Sequence, residues 1–286
     1  MRRMLVWGGL LAVWGLVSAG PARADLVVID GTSANNDGSA TGGVNSGGWL
    51  YMQSVLESMA AQVPAGTPKV VVNLGADPGT AAGDAIAAAF NNSALPGQGW
   101  TMTTVTGADI DPFLTNQLSA TSQGILAITT AGLTSGDLTG SKLDQLDADG
   151  ASVGNFLSSG GSVWAMGEVG SGAWGWLPSV VPGISTTGFG TGGFQQITLT
   201  SDGAAAFPGL TSDDVASVTW NSGFQHGTGG LTVLGTAPAG DGSAAVILGN
   251  LGAPPAFPPV GVPAPPAVVL LAVGACAMAA RRRRTV

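Results

Sequence analysis

The apolar positions of this chain fall into short dense runs separated by stretches of helical spacing. Leu26-Val27-Val28-Ile29-Asp30 reads as a first buried strand, and Trp49 to Val63 follows with Leu50, Val55, Met59 and Val63 on one helical face. Lys69 to Leu74 is a second strand, and Thr80 to Phe90 carries Ala81, Ala82, Ala85, Ile86 and Ala89, small residues that suit a closely packed helix. Thr101 to Val105 is a weaker, peripheral strand, followed by a short helix over Ile110 to Leu118. Gly124 to Thr129 is a further buried strand. Leu143 to Leu157 is the next helix, weakened by Gly150 and Gly154, and Ser162 to Met166 closes the series. Strand and helix in repeated alternation predict a mostly parallel sheet covered on both faces.

The pattern changes past Gln195. Ile197 to Thr200, Val215 to Trp220, Leu231 to Leu234 and Ala244 to Leu248 read as short strands between Gly, Pro and Asp turns. They predict an antiparallel extension of the sheet edge or a small antiparallel cap. Gly167 to Gly193, rich in Gly, Ser and Trp, reads as a long loop of the kind that carries function. The expected fold class is therefore α/β, a flavodoxin-like doubly wound sheet with a C-terminal antiparallel extension, occupying residues 25–250 as one domain.

The two ends follow other rules. Arg2 and Arg3 precede an apolar stretch from Met4 to Val17, and Ala22-Arg23-Ala24 offers a small-x-small cleavage site, so residues 1–24 read as a secretory signal peptide. The alternative is an uncleaved anchor, for which the stretch is short of the roughly 20 residues a span needs. At the other end, a Pro-rich linker (251–266) leads into a charge-free stretch (267–280) and the basic tail 281–286. Proline lacks the amide donor, so a helix would start close to Pro266. From Ala267 to Ala280 it would rise about 21 Å at 1.5 Å per residue. That is short of the roughly 30 Å hydrocarbon core, so the expected transmembrane helix is a marginal one. Arg281, Arg282, Arg283 and Arg284 would hold it as a cytoplasmic stop-transfer clamp.

Charge sharpens this partition. Only 9% of residues are charged, against the roughly 25% of ordinary domains. Seven of the nine basic residues sit in the two ends, leaving Lys69 and Lys142 among all seventeen acids. A body this acidic repels phosphate backbones, which excludes nucleic acid as a partner. The one cysteine, Cys276, lies in the apolar tail, so the body has no disulfide, thiol nucleophile or cysteine metal site.

Val262-Pro263-Ala264-Pro265, the short apolar stretch and the arginine cluster together resemble the PEP-CTERM sorting signal of Gram-negative bacteria, also labelled the ice-binding protein C-terminal domain. Ala264 stands where that family has Glu. The resemblance covers roughly the last 25 residues. It implies export through the inner membrane, an exosortase-type sorting enzyme as partner, and a membrane-anchored or cell-surface destination in contact with exopolysaccharide. A plain C-terminal tail anchor is the alternative. The body is in turn similar to the class I glutamine amidotransferase-like fold, in particular its trehalose-utilisation-type relatives. The similarity lies in the Gly124 to Thr130 strand, the Leu143 helix, Gly160-Gly161-Ser162-Val163-Trp164-Ala165-Met166-Gly167, Phe207-Pro208-Gly209-Leu210 and Leu231 to Gly249. It implies a scaffold without that family's catalytic thiol.

Candidate chemistry is sparse. Glu168, one of two glutamates, follows the strand ending at Met166, and Asp30 and Asp77 follow the first and second strands. The carboxyl ends of strands in such sheets host ligands, and a pair of acids there could serve glycoside hydrolysis. Capping of the next turn is the plainer role for either aspartate. His226, the only histidine, has Ser222 nearby, but no Gly-x-Ser-x-Gly elbow surrounds it. Gln145 to Gly150 and Ser33 to Gly38 imitate parts of a calcium loop without the acid at position twelve. Trp174 and Trp176, in the Gly-rich stretch, are binding candidates that could stack on sugar rings or pack the loop. No cofactor and no metal site is expected. The sorting-signal resemblance implies a non-enzymatic envelope or matrix component, with a carbohydrate-active hydrolase and a calcium-dependent adhesion module as alternatives.

Overall fold

Strands and helices succeed one another from Leu26 in a computed structural model that describes residues 26–130, 136–167, 171–188, 196–239 and 242–252. The elements are β1 (Val27–Asp30), β2 (Gly38–Thr41), β3 (Val44–Gly47), α1 (Gly48–Gln62), β4 (Val70–Leu74), α2 (Ala81–Asn91), β5 (Thr101–Val105), α3 (Ile110–Asn116), β6 (Ile125–Thr130), α4 (Ser141–Ala148), α5 (Gly150–Ser158) and β7 (Ser162–Gly167). They continue with β8 (Ile184–Gly188), β9 (Thr198–Leu199), α6 (Ser201–Ala206), α7 (Ser212–Val215), β10 (Ser222–Thr228), β11 (Thr232–Ala239) and β12 (Gly242–Gly249).

Eight strands form the main sheet in the order β5-β4-β6-β7-β1-β12-β11-β9. The five from β5 to β1 run parallel, and β12, β11 and β9 continue antiparallel. The fold is thus mixed α/β with a large, mostly parallel sheet. Two small ribbons, β2–β3 and β8–β10, stand apart from it.

The apolar runs explain the layers. A strand covered on both faces has no polar alternation, and β1, β6 and β7 are buried at every position. Val28, Val71, Ala127 and Trp164 face Tyr51, Met52, Val55 and Met59 of α1 and Ile86 and Phe90 of α2. Val27, Val72, Leu126 and Val163 face Phe113 of α3 and Val153 and Phe156 of α5 on the other side. The helix expected over Leu143 to Leu157 is two helices, α4 and α5, which meet at Asp149. Val215 to Trp220, expected as a strand, is not one. Val215 ends α7, and Trp220 makes only an isolated bridge with Thr32. The reason is a capping box: Thr211 accepts from the Asp214 amide while the Asp214 carboxylate takes the Thr211 amide at 2.8 Å, which starts a helical turn ahead of the apolar residues.

Among the described residues, no helix is long and apolar enough to cross a membrane. The expected signal peptide (1–24), the sorting motif from Val262 to Pro265, the apolar stretch 267–280 and Arg281 to Arg284 all lie outside the described residues.

Candidate functional site at the carboxyl edge of the sheet

The parallel strands all deliver their carboxyl ends to one edge. There Asp30 is the register partner of Met166, and Met166 of Thr129. Most of the buried polar side chains gather along this edge, including Asp30, Thr32, Asn35, Asn73, Thr129, Thr130 and Asp137. Two loops meet above it, where Asn35 donates to Asp137 Oδ1 at 3.0 Å and the Trp49 indole donates to the Asn35 carbonyl at 3.0 Å.

Asp30 is the most enclosed acid, with no exposed surface. It shares a face with Val28, so its carboxylate points under α1. Oδ1 accepts from the Thr32 hydroxyl at 2.6 Å and the Thr32 amide at 3.2 Å. Oδ2 accepts from the Trp164 indole at 2.8 Å and the Tyr51 hydroxyl at 3.1 Å. Burial pushes its pKa up to about 6 from 3.8, against the pull of these four donors. The same burial, together with the Asp30 charge, raises the Tyr51 phenol well above its ordinary value.

Asp77 serves differently. It lies 3.2 Å from Lys142 Nζ, in a pair about a third exposed on each side. Such a pair holds little free energy. Lys142→Met should therefore change stability by no more than about 1 kcal/mol, which denaturant unfolding would measure. Asp30 and Asp77 are not brought together by any contact between them, and each is engaged with other groups.

Glu168 lies outside the described residues, one position past the end of β7. Ser222 is fully buried in β10. His226 belongs to the same strand, where the register against β8 shifts, and its side chain lies outside the described residues. The segment that imitates a calcium loop from Gln145 to Gly150 is helical, spanning the end of α4 and the start of α5. In the other, Asp37 accepts from the Thr219 amide at 2.6 Å and fastens the loop. No group of three metal-ligating side chains occurs among the described residues.

Trp174 and Trp176 are not offered to solvent. They are 2% and 0% exposed, and Trp174 meets Trp176 at 6.4 Å and Phe224 edge-on at 5.7 Å. The Trp176 indole donates to Ala173 O at 3.2 Å, while Trp174 Nε1 has no partner among the described residues.

Tyr51, Trp164 and Thr32, which hold Asp30, and Asn73 and Thr129, whose Oδ1 and Oγ1 are buried without partners among the described residues, escape a reading by motif. A signal for the last two exists. Each is a polar residue in a buried, mainly apolar strand, Val-Val-Val-Asn-Leu and Ile-Leu-Ala-Ile-Thr-Thr. The chain matches no protein-family model, no curated protein and no solved structure.

Proposed function

We propose that this chain is an exported, surface-sorted or membrane-tethered protein of the PEP-CTERM type whose body is a non-enzymatic envelope or matrix component that contacts exopolysaccharide. The observation that carries the non-enzymatic part is the state of Asp30. A carboxylate with four hydrogen bonds and no exposed surface serves the fold by tying β1, β7 and α1 together, and has no open side for a substrate. The export part rests on the two arginine-flanked apolar ends and the thiol-free acidic body between them. In this view the body is a flavodoxin-like, doubly wound scaffold similar to the amidotransferase-like fold and without a catalytic cysteine. An exosortase-type enzyme and the inner membrane are the partners of its tail.

A second reading, a carbohydrate-active hydrolase, is favoured by one observation. Register pairing sets Asp30 opposite Met166, and Glu168 follows Met166 by two positions in the sequence, past the end of β7. The two readings diverge in one experiment. Glu168→Gln should leave binding to neutral polysaccharide and any glycosidic hydrolysis by the full chain unchanged. Loss of hydrolysis in that variant would establish the enzyme instead. Intact mass of the protein recovered from cells should lack residues 1–24 in either case, and the stretch after the sorting motif as well where the chain is surface-sorted and not tethered; both ends intact would overturn the sorting assignment.

A further inference from the structure

The main sheet ends on β5, and the outer side of that strand has no neighbouring strand among the described residues. The parallel ladder fixes which of its backbone groups are left over. The Thr101 amide donates to Lys69 O at 2.9 Å and Val105 O accepts from the Gly75 amide at 2.9 Å, so Thr101, Thr103 and Val105 turn their peptide groups toward β4. The amides and carbonyls of Met102 and Thr104, which alternate with them, point outward.

Natural sheets blunt such an edge with charge, proline, a bulge or brevity. At the opposite edge, β9 is only two residues long. β5 uses none of these devices. It is Thr-Met-Thr-Thr-Val, pairs with β4 at five successive positions without a register shift, and exposes Thr101, Thr103 and Thr104. No charged residue occurs between Asp84 and Asp109. On a body with seventeen acids and two lysines, this strip is where two like-charged molecules repel least.

We propose that β5 pairs with β5 of a second copy of this chain, antiparallel about a twofold axis through Thr103. Met102 then lies opposite the partner's Thr104 and Thr104 opposite the partner's Met102, and each pair exchanges both of its N–H···O bonds. All four outward groups of each copy are used. A shift of one residue would set outward groups against inward ones. The Thr103 side chains meet across the axis, a favourable pair in sheets. Charge agrees with the direction. Lys69 Nζ donates to Gln98 O at 2.7 Å, which holds the ammonium at the amino end of β5, and it has no acidic partner among the described residues. The antiparallel arrangement brings that end toward the partner's Asp109, an exposed acid in the turn just past the strand, whereas a parallel one would set lysine beside lysine. Five residues make a small contact against the roughly 1,200–2,000 Å² of stable complexes, so the dimer is weak and forms where the chain is concentrated. The pairing depends on neither the sorting nor the polysaccharide proposal.

The test follows the full chain from micromolar to millimolar concentration by sedimentation equilibrium, with amide exchange read by NMR. A monomer–dimer equilibrium is expected, with the Met102 and Thr104 amides exchanging more slowly as the dimer fills. Thr103→Lys places like charges opposite one another on the axis. It should weaken the dimer by about tenfold or more without lowering the Tm of the dilute chain, since Thr103 is exposed in the single copy. In a Cys276→Ala background, which removes the one native thiol, Thr103→Cys should cross-link on mild oxidation. Opposed residues of a pair without hydrogen bonds lie about 4.5 Å apart at Cα, within disulfide reach. Thr101→Cys should not cross-link, because its two copies would lie about 14 Å apart along the ribbon at 3.4 Å per residue. A chain that stays monomeric at millimolar concentration would overturn the proposal. So would a dimer that Thr103→Lys leaves intact, one whose Met102 and Thr104 amides exchange as the monomer's do, or failure of Thr103→Cys to cross-link.

Discussion

Acidification from pH 7 to pH 5 should make this fold more stable, by about 1 kcal/mol. The folded chain keeps the Asp30 proton up to about pH 6, whereas an unfolded chain releases it near 3.8. Between those values the folded state binds more protons, so stability falls as pH rises through the window and is fully retained below it. By pH 7 the cumulative loss is about 3 kcal/mol at 1.36 kcal/mol per pKa unit. Asp147 and Asp149 are also raised, each first by burial, then by the neighbouring Asp144 and Asp111 charges respectively, and they act in the same direction. Urea unfolding at pH 5 and 7 measures the slope, which Asp30→Asn should flatten. Trp164→Phe removes a donor to a buried carboxylate and should cost about 1.5–3 kcal/mol at pH 7. It should also move the window upward, because the anion loses one of its four partners. A fold equally stable at both pH values would contradict the burial of a titrating Asp30.

Gly31→Ala should be the most damaging single-methyl change in the chain's first loop. A Cβ there would sit 2.0 Å from the Ser222 carbonyl oxygen and 2.6 Å from its carbon, which are backbone atoms and have no rotamer to escape into. The backbone around it is pinned as well. The Gly31 amide donates to Val246 O at 2.9 Å, and the Gly31 carbonyl accepts from the Asn221 and Ser222 amides. Relief would require the Asn221–Ser222 backbone to leave Gly31, so a loss of about 3 kcal/mol or more is expected, at the upper end of overpacking costs. Thermal unfolding reads it directly, and Gly79→Ala, whose Cβ would meet nothing within 4 Å, is the control for the effect of adding a methyl to a glycine as such. Gly79 has a φ of +78°, so that control carries its own backbone strain and should still lose less.

What could be read from the residues was whatever depends on near neighbours. The buried strands β1, β4, β6 and β7 announce themselves as short, mainly apolar runs, and α2 by its alanines and by Thr80, which caps the Gly83 amide at 3.2 Å. The ribbon β2–β3 does not, because Gly-Ser-Ala-Thr and Val-Asn-Ser-Gly carry neither apolar alternation nor bulk. It is held by the turn at Gly42 and Gly43, both at positive φ, and by Asn45, which donates to Gln53 at 2.9 Å and to Ala88 O at 3.1 Å. Of the edge chemistry, Asp30 was legible as a strand-end acid. Its confinement was not, since Tyr51 and Trp164 lie 21 and 134 residues away along the chain. Asn73 Oδ1 was hidden for another reason, because it is defined by what fails to reach it among the described residues.

Strand β1 ends up between β7 and β12, two segments made more than a hundred residues later. While ribosomes are still extending the chain, its opening strand has nobody to pair with, and the central seam of the sheet cannot close until almost the whole body exists. Such long-range closure is slow. For a polypeptide proposed to thread a membrane before it folds, late closure is an asset: the topology itself delays compaction until translocation is nearly over.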